Sequence, residues 1–482
     1  MSLRSKAVNG FIWSFADKVG NQLVHFAVII FLANKIGPEA FGLVGMLAIF
    51  VVFAESLVNN GFSQALIQRS KRATDKDFST VFYTNVLLGI TIYFVLFFAS
   101  PYIADFYGDE RLEDAAQVLF LIVVINGIAV VARARLAIDI DFKKITIANT
   151  VATFSGASVG IVMAVNGFGY WSLVWMTITQ SLINTSFLWC LSGWFPSLVY
   201  SKKSIRSLLG FGSNLMVAGV IATATSNLYV FMVGRYFEST RVGYLTQSTT
   251  LTNTISGVIS SVLQGVTYPI MTSVNEDEQR MVKIYKQLIQ ITCFISVPVM
   301  IGFAATADSF TKTFLSEEWM PIIPLLVFFS LARLFTPISS VNMNILNAIG
   351  RSDLFLKVDL FKLPITLLAV FISAPMGIYA VSIAVFATAF IAYFINSYYP
   401  GKFFGFGAIQ QIKLCWRILI SAILMAVLIQ LISIDNSLLE LIVKIVFGAI
   451  IYISFCYFLK EPALIKIHGL VKSFFYSKKN IN

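Results

Sequence analysis

"FADKVGNQLVHF", residues 15–26, sets Asp17, Lys18, Asn21, Gln22 and His25 inside an apolar stretch long enough to cross a bilayer, for which about 20 residues suffice. Asp17, Asn21 and His25 recur at i, i+4 and i+8, so they share one face of a helix, with Lys18 beside them. An ionisable side chain at membrane depth costs on the order of 3 kcal/mol or more, so this stripe must face protein or water rather than lipid. The stretch is therefore expected to be a membrane helix with one wall on a polar interior.

The whole chain has the same character. Its 482 residues are 57% hydrophobic and only 12% charged, with a mean hydropathy of +0.81, which is too apolar for a soluble domain. Apolar segments are expected near 10–33, 40–64, 79–103, 117–138, 146–166, 169–192, 207–234, 242–270, 283–307, 321–349, 353–374, 377–397, 414–434 and 437–458. The fold class is thus an all-α polytopic membrane protein with about 14 transmembrane helices. The first segment lacks a small-residue cleavage site and is expected to stay as an anchor.

Basic links ("QRSKRATDKD" at 68–77, Lys143 and Lys144, "SKKSIR" at 201–206, "RMVKIYK" at 280–286, Arg351, Lys402 and the "SKKN" tail) alternate with links poor in Lys and Arg. By the positive-inside rule both termini are expected in the cytoplasm, and the net charge of +11 then reflects topology rather than nucleic-acid binding. Four cysteines scattered singly and two histidines offer neither a disulfide framework nor a metal site, and no cofactor is expected.

Sliding the chain along itself sets "KIGPEAFGLV" (35–44) over "YFESTRVGYL" (236–245) and "NGFGYWSLV" (166–174) over "APMGIYAVSI" (374–383). Two six-helix lobes in the same membrane orientation follow, at 1–200 and 201–400, with two added helices and a basic tail at 401–482. Gly42 and Gly243 open the second and eighth segments, and Gly169 and Gly377 precede the sixth and twelfth, where tight turns favour a residue without Cβ.

Further polar residues lie at depth. Glu55 matches Lys18 in depth, and an ion pair between them is expected. "TATSNLY" (223–229), which includes Asn227, together with Gln247, Asn253, Ser256 and Gln264, gives the second lobe a neutral polar face. Arg333 and Lys362 are deep cations, with Asp359 a turn from Lys362; they suit either phosphate oxygens or a structural salt bridge. The charges of Lys18, Arg333 and Lys362 balance those of Asp17, Glu55 and Asp359. Glu440 and Lys444, at i and i+4, read as a surface pair with a snorkelling lysine.

No phosphate-binding loop is present ("PGKFFG" at 400–405 lacks its spacing), nor any hydrolase or metalloprotease motif, so the chain is expected not to be an enzyme. "SLRSKAVNGFIWS" at the start, "FG" at 41–42, "GFSQALIQRS" (61–70), "FYTNVLLGI" (82–90) and "SEEWMPIIPLL" (316–326) resemble, in order and spacing, the polysaccharide transporter family of Wzx-like flippases within the MOP exporter superfamily. The similarity spans roughly residues 1–400.

What this resemblance implies is export of an undecaprenyl-pyrophosphate-linked oligosaccharide between the leaflets of a bacterial inner membrane by alternating access. Substrate-binding roles would then fall to Lys18, Asn21, His25, Asn227, Arg333 and Lys362, and ion coupling, to H⁺ or Na⁺, to Asp17, Glu55 or Asp359. Membrane lipid and a polysaccharide polymerase machinery are the further partners it suggests. The alternatives are a cation-coupled multidrug exporter of the same superfamily and a membrane glycosyltransferase or polymerase, against which the short links argue.

Overall fold

The computed structural model describes residues 3–59, 66, 73–206, 220, 227–272, 278–349 and 351–464, and every regular element among them is helical. Ten stretches of these residues are long and apolar enough to span a membrane. The segment starting at 207, up to residue 226, lies outside the described residues apart from residue 220, as do the basic stretch 67–72, the side chain of Gln264 and the tail from 465.

Helix α1 (Leu3–Asn59) carries the first two expected segments as two arms joined at Gly37, whose φ of 72° is open to glycine and strained for other residues; Pro38, with φ fixed and no N–H to lose, restarts the helix. Then follow α2 (Asp75–Tyr107), the short α3 (Arg111–Leu119), α4 (Leu121–Ile138), α5 (Phe142–Val165) and α6 (Trp171–Ser192). Residues 227–236 are helical and lead into α7 (Ser239–Thr272). Next come α8 (Glu278–Ala305), α9 (Ala307–Phe314), α10 (Ile323–Arg333), α11 (Phe335–Ala348), α12 (Ser352–Ser373), α13 (Ile378–Asn396), α14 (Tyr398–Phe404), α15 (Ala408–Gln430) and α16 (Ser437–Phe458). Helices α6 and α7 have the length of a span but are not among the ten; runs such as "TITQSLINTS" and "TQSTTLTNT" lower their hydropathy, and most of these polar side chains are buried or half-buried, Ser186 and Asn253 being exposed.

The chain forms two compact units, Met1–Gln247 and Ser248–Asn482. In the first unit α5 and α6 pack at close range, because Gly156 and Gly160 of "GASVG" leave no room for a side chain. A Cβ on Gly156 would sit 2.8 Å from the Met176 carbonyl oxygen, and one on Gly160 would sit 3.0 Å from the Met176 Cβ. This is small-residue packing, the usual way for helices to approach in a membrane. The turn between them is built on Gly167 and Gly169, both at positive φ, as Gly377 is before α13. Gly42 and Gly243 differ from the expectation. They lie inside helices, and what they need is close approach rather than a turn.

The second unit is centred on a buried cluster from α8, α11, α15 and α16 that includes Tyr285, Ile289, Val341, Ile345, Ile418 and Cys456. A closed polar network fastens its helices. The Tyr285 hydroxyl donates to Asn342 Oδ1 at 2.6 Å, Gln411 Nε2 donates to the same oxygen at 3.0 Å, and Asn342 Nδ2 donates to Ser397 Oγ at 2.8 Å. Lys444 is not a surface lysine: its side chain is 7% exposed, it bonds Glu440, and its Nζ donates to Ser309 Oγ of α9 at 3.0 Å. The hydroxyl of a neighbouring helix gives the ammonium a partner, so it does not reach for the interface.

Candidate functional site

The described residues of the first unit line an open polar cavity of about 460 Å³, within the range of small-molecule pockets, on the order of 300–1,000 Å³. The first arm of α1 supplies Asp17, Lys18, Asn21, Gln22 and His25; α4 supplies Asn126 and Arg133; α5 supplies Asn149 and Thr153; α6 supplies Thr177, Gln180, Ser181 and Asn184. The i, i+3, i+4, i+7 spacing of the α6 residues places them on one face of that helix.

The α5–α6 seam sets two levels of the wall. Asn184 Nδ2 donates to Asn149 Oδ1 at 2.7 Å, and one turn further along Gln180 Nε2 donates to Thr153 Oγ1 at 3.3 Å. The close glycine contacts at 156 and 160 continue the same seam, so the packing that brings the helices together also brings the amides into register. Thr146 Oγ1 donates to the Trp13 carbonyl oxygen at 3.1 Å and ties α5 to the first arm of α1.

A chain of hydrogen bonds crosses the cavity wall. Arg133 Nη2 donates to Asn184 Oδ1 at 2.9 Å. Asn149 Nδ2 donates to Asp17 Oδ2 at 2.9 Å, and Asn21 Nδ2 donates to Asp17 Oδ1 at 2.6 Å. "ARAR" at 132–135 splits its two arginines between two environments, since residues two apart on a helix point about 200° from each other. Arg133 faces the cavity, while Arg135 packs 5.1 Å over the Phe78 ring and 5.7 Å over the Trp194 ring and pairs with Asp75 at 3.0 Å.

The expected residues divide as follows. Asp17, Lys18, Asn21 and His25 meet in the cavity. Glu55 accepts from Asn126 Nδ2 rather than pairing with Lys18, which makes no ion pair among the described residues. The cause is the rotation of the second α1 arm, which turns Glu55 towards α4. Asn227 is half-buried and is not part of the described lining.

In the second unit, Lys362 pairs with Asp359 at 2.6 Å and donates to Asn396 Oδ1 at 3.1 Å, which is the salt-bridge alternative. Arg333 ends α10, its carbonyl accepts from Ser256 Oγ at 3.2 Å, and its Nε is buried with no hydrogen-bond partner.

Sequence reasoning missed Arg133, Asn126, Asn149, Gln180 and Asn184. A signal existed in the polar stripe of the sixth segment. With Arg133 counted, the lining carries Lys18 and Arg133 against Asp17, and Glu55, bonded to the lining residue Asn126, is a second carboxylate close by, so the charges about the cavity balance.

Residues 31–324, more than half of the chain, match the family described as "Polysaccharide biosynthesis protein". Over 386 residues the chain is 25% identical to the lipopolysaccharide biosynthesis protein WzxC of Escherichia coli (strain K12), with 78% of this chain and 77% of that one covered. It is 23% identical over 361 residues to the teichuronic acid biosynthesis protein TuaB of Bacillus subtilis (strain 168), with 73% of each covered. Among solved structures, the lipid II flippase MurJ in an inward closed conformation superposes with a TM-score of 0.77 at 15% identity, covering 94% of this chain and 99% of that one. An inward-facing multidrug resistance MATE family transporter of the MOP superfamily gives 0.61 at 15% identity, covering 85% and 97%. At such identities the likeness is one of fold. The chain is a multi-pass membrane protein with the fold shared by these transporters, and it belongs to the polysaccharide biosynthesis protein family.

Proposed function

We propose that this protein is a flippase that carries a lipid-linked oligosaccharide, a precursor of surface polysaccharide, from the inner to the outer leaflet of a bacterial cytoplasmic membrane. The observation that carries the reading is the cavity: membrane helices line an open space of about 460 Å³ with carboxamides, hydroxyls and charges. A polar cargo would partner the valences that these groups leave unused among themselves, which lipid could not. The family membership and the names of the relatives, which are proteins of lipopolysaccharide and teichuronic acid biosynthesis, agree with a glycan cargo.

The lobes of the internal repeat, residues 1–200 and 201–400, would move relative to each other so that the polar interior opens alternately to each face, with both termini in the cytoplasm and the lipid tail left in the bilayer. Lys18, Asn21 and His25 would line the path. Arg333, with its unsatisfied buried Nε, and Lys362 and Asn227 would serve elsewhere along it. Coupling to H⁺ or Na⁺ would use Asp17, Glu55 or Asp359. The multidrug-exporter reading is the weaker one, because the described lining contains no Phe, Tyr or Trp against which a lipophilic cation would stack.

The test is translocation of an undecaprenyl-diphosphate oligosaccharide by the purified protein in liposomes, read from the fraction accessible to an external periodate or lectin probe. Movement above that of protein-free liposomes is expected. Absence of movement with an imposed ion gradient and a panel of oligosaccharides, combined with efflux of lipophilic cations, would overturn the reading.

A further inference from the structure

We infer that the α5–α6 wall of the cavity is a subsite that reads the hydroxyl groups of a pyranose ring in the cargo head group, rather than its diphosphate. This inference rests on the flippase reading and deepens it. The hydrogen-bond chain across this wall has a fixed direction. Which way an Asn side chain points is normally ambiguous, because its oxygen and nitrogen look alike. Here the chain begins at Arg133, which can only donate, and ends at Asp17, which as a carboxylate can only accept. Both intervening amides are therefore oriented without ambiguity: Asn184 and Asn149 each turn their oxygen towards Arg133 and their nitrogen towards Asp17.

The valences left over define the ligand. A carboxamide has two N–H donors and two acceptor positions on its oxygen. Asn184 and Asn149 each spend one of each within the chain, so each has one donor and one acceptor left. Gln180 spends one N–H on Thr153 and keeps its second N–H and its carbonyl. A side chain that offers a donor and an acceptor together suits a pair of neighbouring hydroxyls, each of which can accept and donate. A diphosphate can only accept, and would leave the acceptor half of these valences facing bare anionic oxygen. The cations stand at the ends of the chain, Arg133 at one and Lys18, beside Asp17 in sequence, at the other; the seam itself is neutral.

The test uses the full-length protein in lipid nanodiscs with a Ser181→Cys reporter in the cavity wall on a Cys190→Ser background. Cys190 is exposed, and the other three cysteines are buried. The rate of alkylation by a small thiol reagent is measured alone and with methyl glucopyranoside, methyl galactopyranoside, methyl mannopyranoside or inorganic pyrophosphate. At least one pyranoside should slow alkylation several-fold while pyrophosphate does not, and Asn184→Leu and Gln180→Leu should each abolish that protection; the second variant covers the case in which the first does not fold.

Protection by pyrophosphate and not by pyranosides would overturn the inference and make the wall an oxyanion site. Alkylation unaffected by every probe, in protein that still moves lipid-linked oligosaccharide in liposomes, would also overturn it and leave the flippase reading standing. Protection by a pyranoside in protein that moves no lipid would do the reverse.

Discussion

Gly42 and Gly243, matched by the internal repeat, pack against each other's helices in a reciprocal contact. A Cβ on Gly42 would lie 1.7 Å from the carbonyl oxygen of Ser239, and one on Gly243 would lie 1.9 Å from that of Pro38. Ser239 and Pro38 each precede the opposing glycine by four residues, so the contact has the form of a local two-fold. Phe231 reinforces it nearby, stacked on Phe106 at 5.2 Å and edge-on to Phe50 at 6.3 Å.

Alanine at either position cannot be accommodated without parting the two backbones. Gly42→Ala and Gly243→Ala should each lower the thermal unfolding midpoint in detergent by several degrees, a loss of about 1–3 kcal/mol for overpacking. Gly20 is the control: nothing lies within 4 Å of its Cβ position, so Gly20→Ala should leave the midpoint unchanged or raise it slightly, through a gain of about 0.5–1 kcal/mol in helix propensity. Equal behaviour of all three variants would show that the contact is absent in solution.

Arg133 and Arg135 should separate transport from stability. Removing the cation that orients the amide chain, as in Arg133→Gln, forfeits a charge-assisted hydrogen bond of about 1.5–3 kcal/mol and should slow liposome translocation roughly tenfold or more. Arg135→Gln loses its stacking on Phe78 and Trp194 and its pair with Asp75, and should reduce stability with translocation per folded molecule unchanged. The opposite pattern would mean that the cavity side of α4 has been assigned wrongly.

The buried pair of Lys444 and Glu440 should behave as a unit. Lys444→Met leaves Glu440, whose side chain is only 12% exposed, without its counter-charge, at an expected cost of about 3–5 kcal/mol. Replacing both, by Lys444→Met with Glu440→Gln, should recover most of it. A double-mutant cycle in thermal unfolding gives the coupling, and additive losses would contradict the pair.

Acid should release a clasp at the turn between α2 and α3. Arg111 bonds Asp109 at 2.8 Å and Glu39 at 2.7 Å, and its guanidinium holds the Asp109 carboxyl below the usual aspartate range. A carboxyl depressed in the folded state contributes stability above its unfolded pKa and loses it as pH falls through the folded value. The difference in unfolding midpoint between wild type and Asp109→Asn should therefore be constant near neutrality and shrink only below about pH 4. Because the pair is partly exposed, the difference should be small and should fall with salt.

Much of the architecture was legible in the amino-acid order because membrane helices are specified locally. Runs of apolar residues mark the spans, and the expected segments at 79–103, 283–307 and 437–458 lie within α2, α8 and α16 apart from a residue or two at their ends. The i, i+4, i+8 stripe of Asp17, Asn21 and His25 follows from helical period alone, and those residues do line one cavity. Gly169 and Gly377 sit at positive φ, as a turn ahead of a helix requires.

Which polar groups meet is set by packing between helices. Glu55 faces Asn126 and not Lys18, Lys444 is enclosed by α9, and Arg133 rather than Lys362 supplies the cavity's second cation. Each depends on how far a helix is rotated about its axis and on which helix lies beside it. Those angles are set by close contacts such as Gly156 and Gly160 against Met176 and Gln180, between residues distant in sequence. Hydropathy along the chain records that a residue is polar and on which face of its own helix it lies; only packing supplies the partner across the gap.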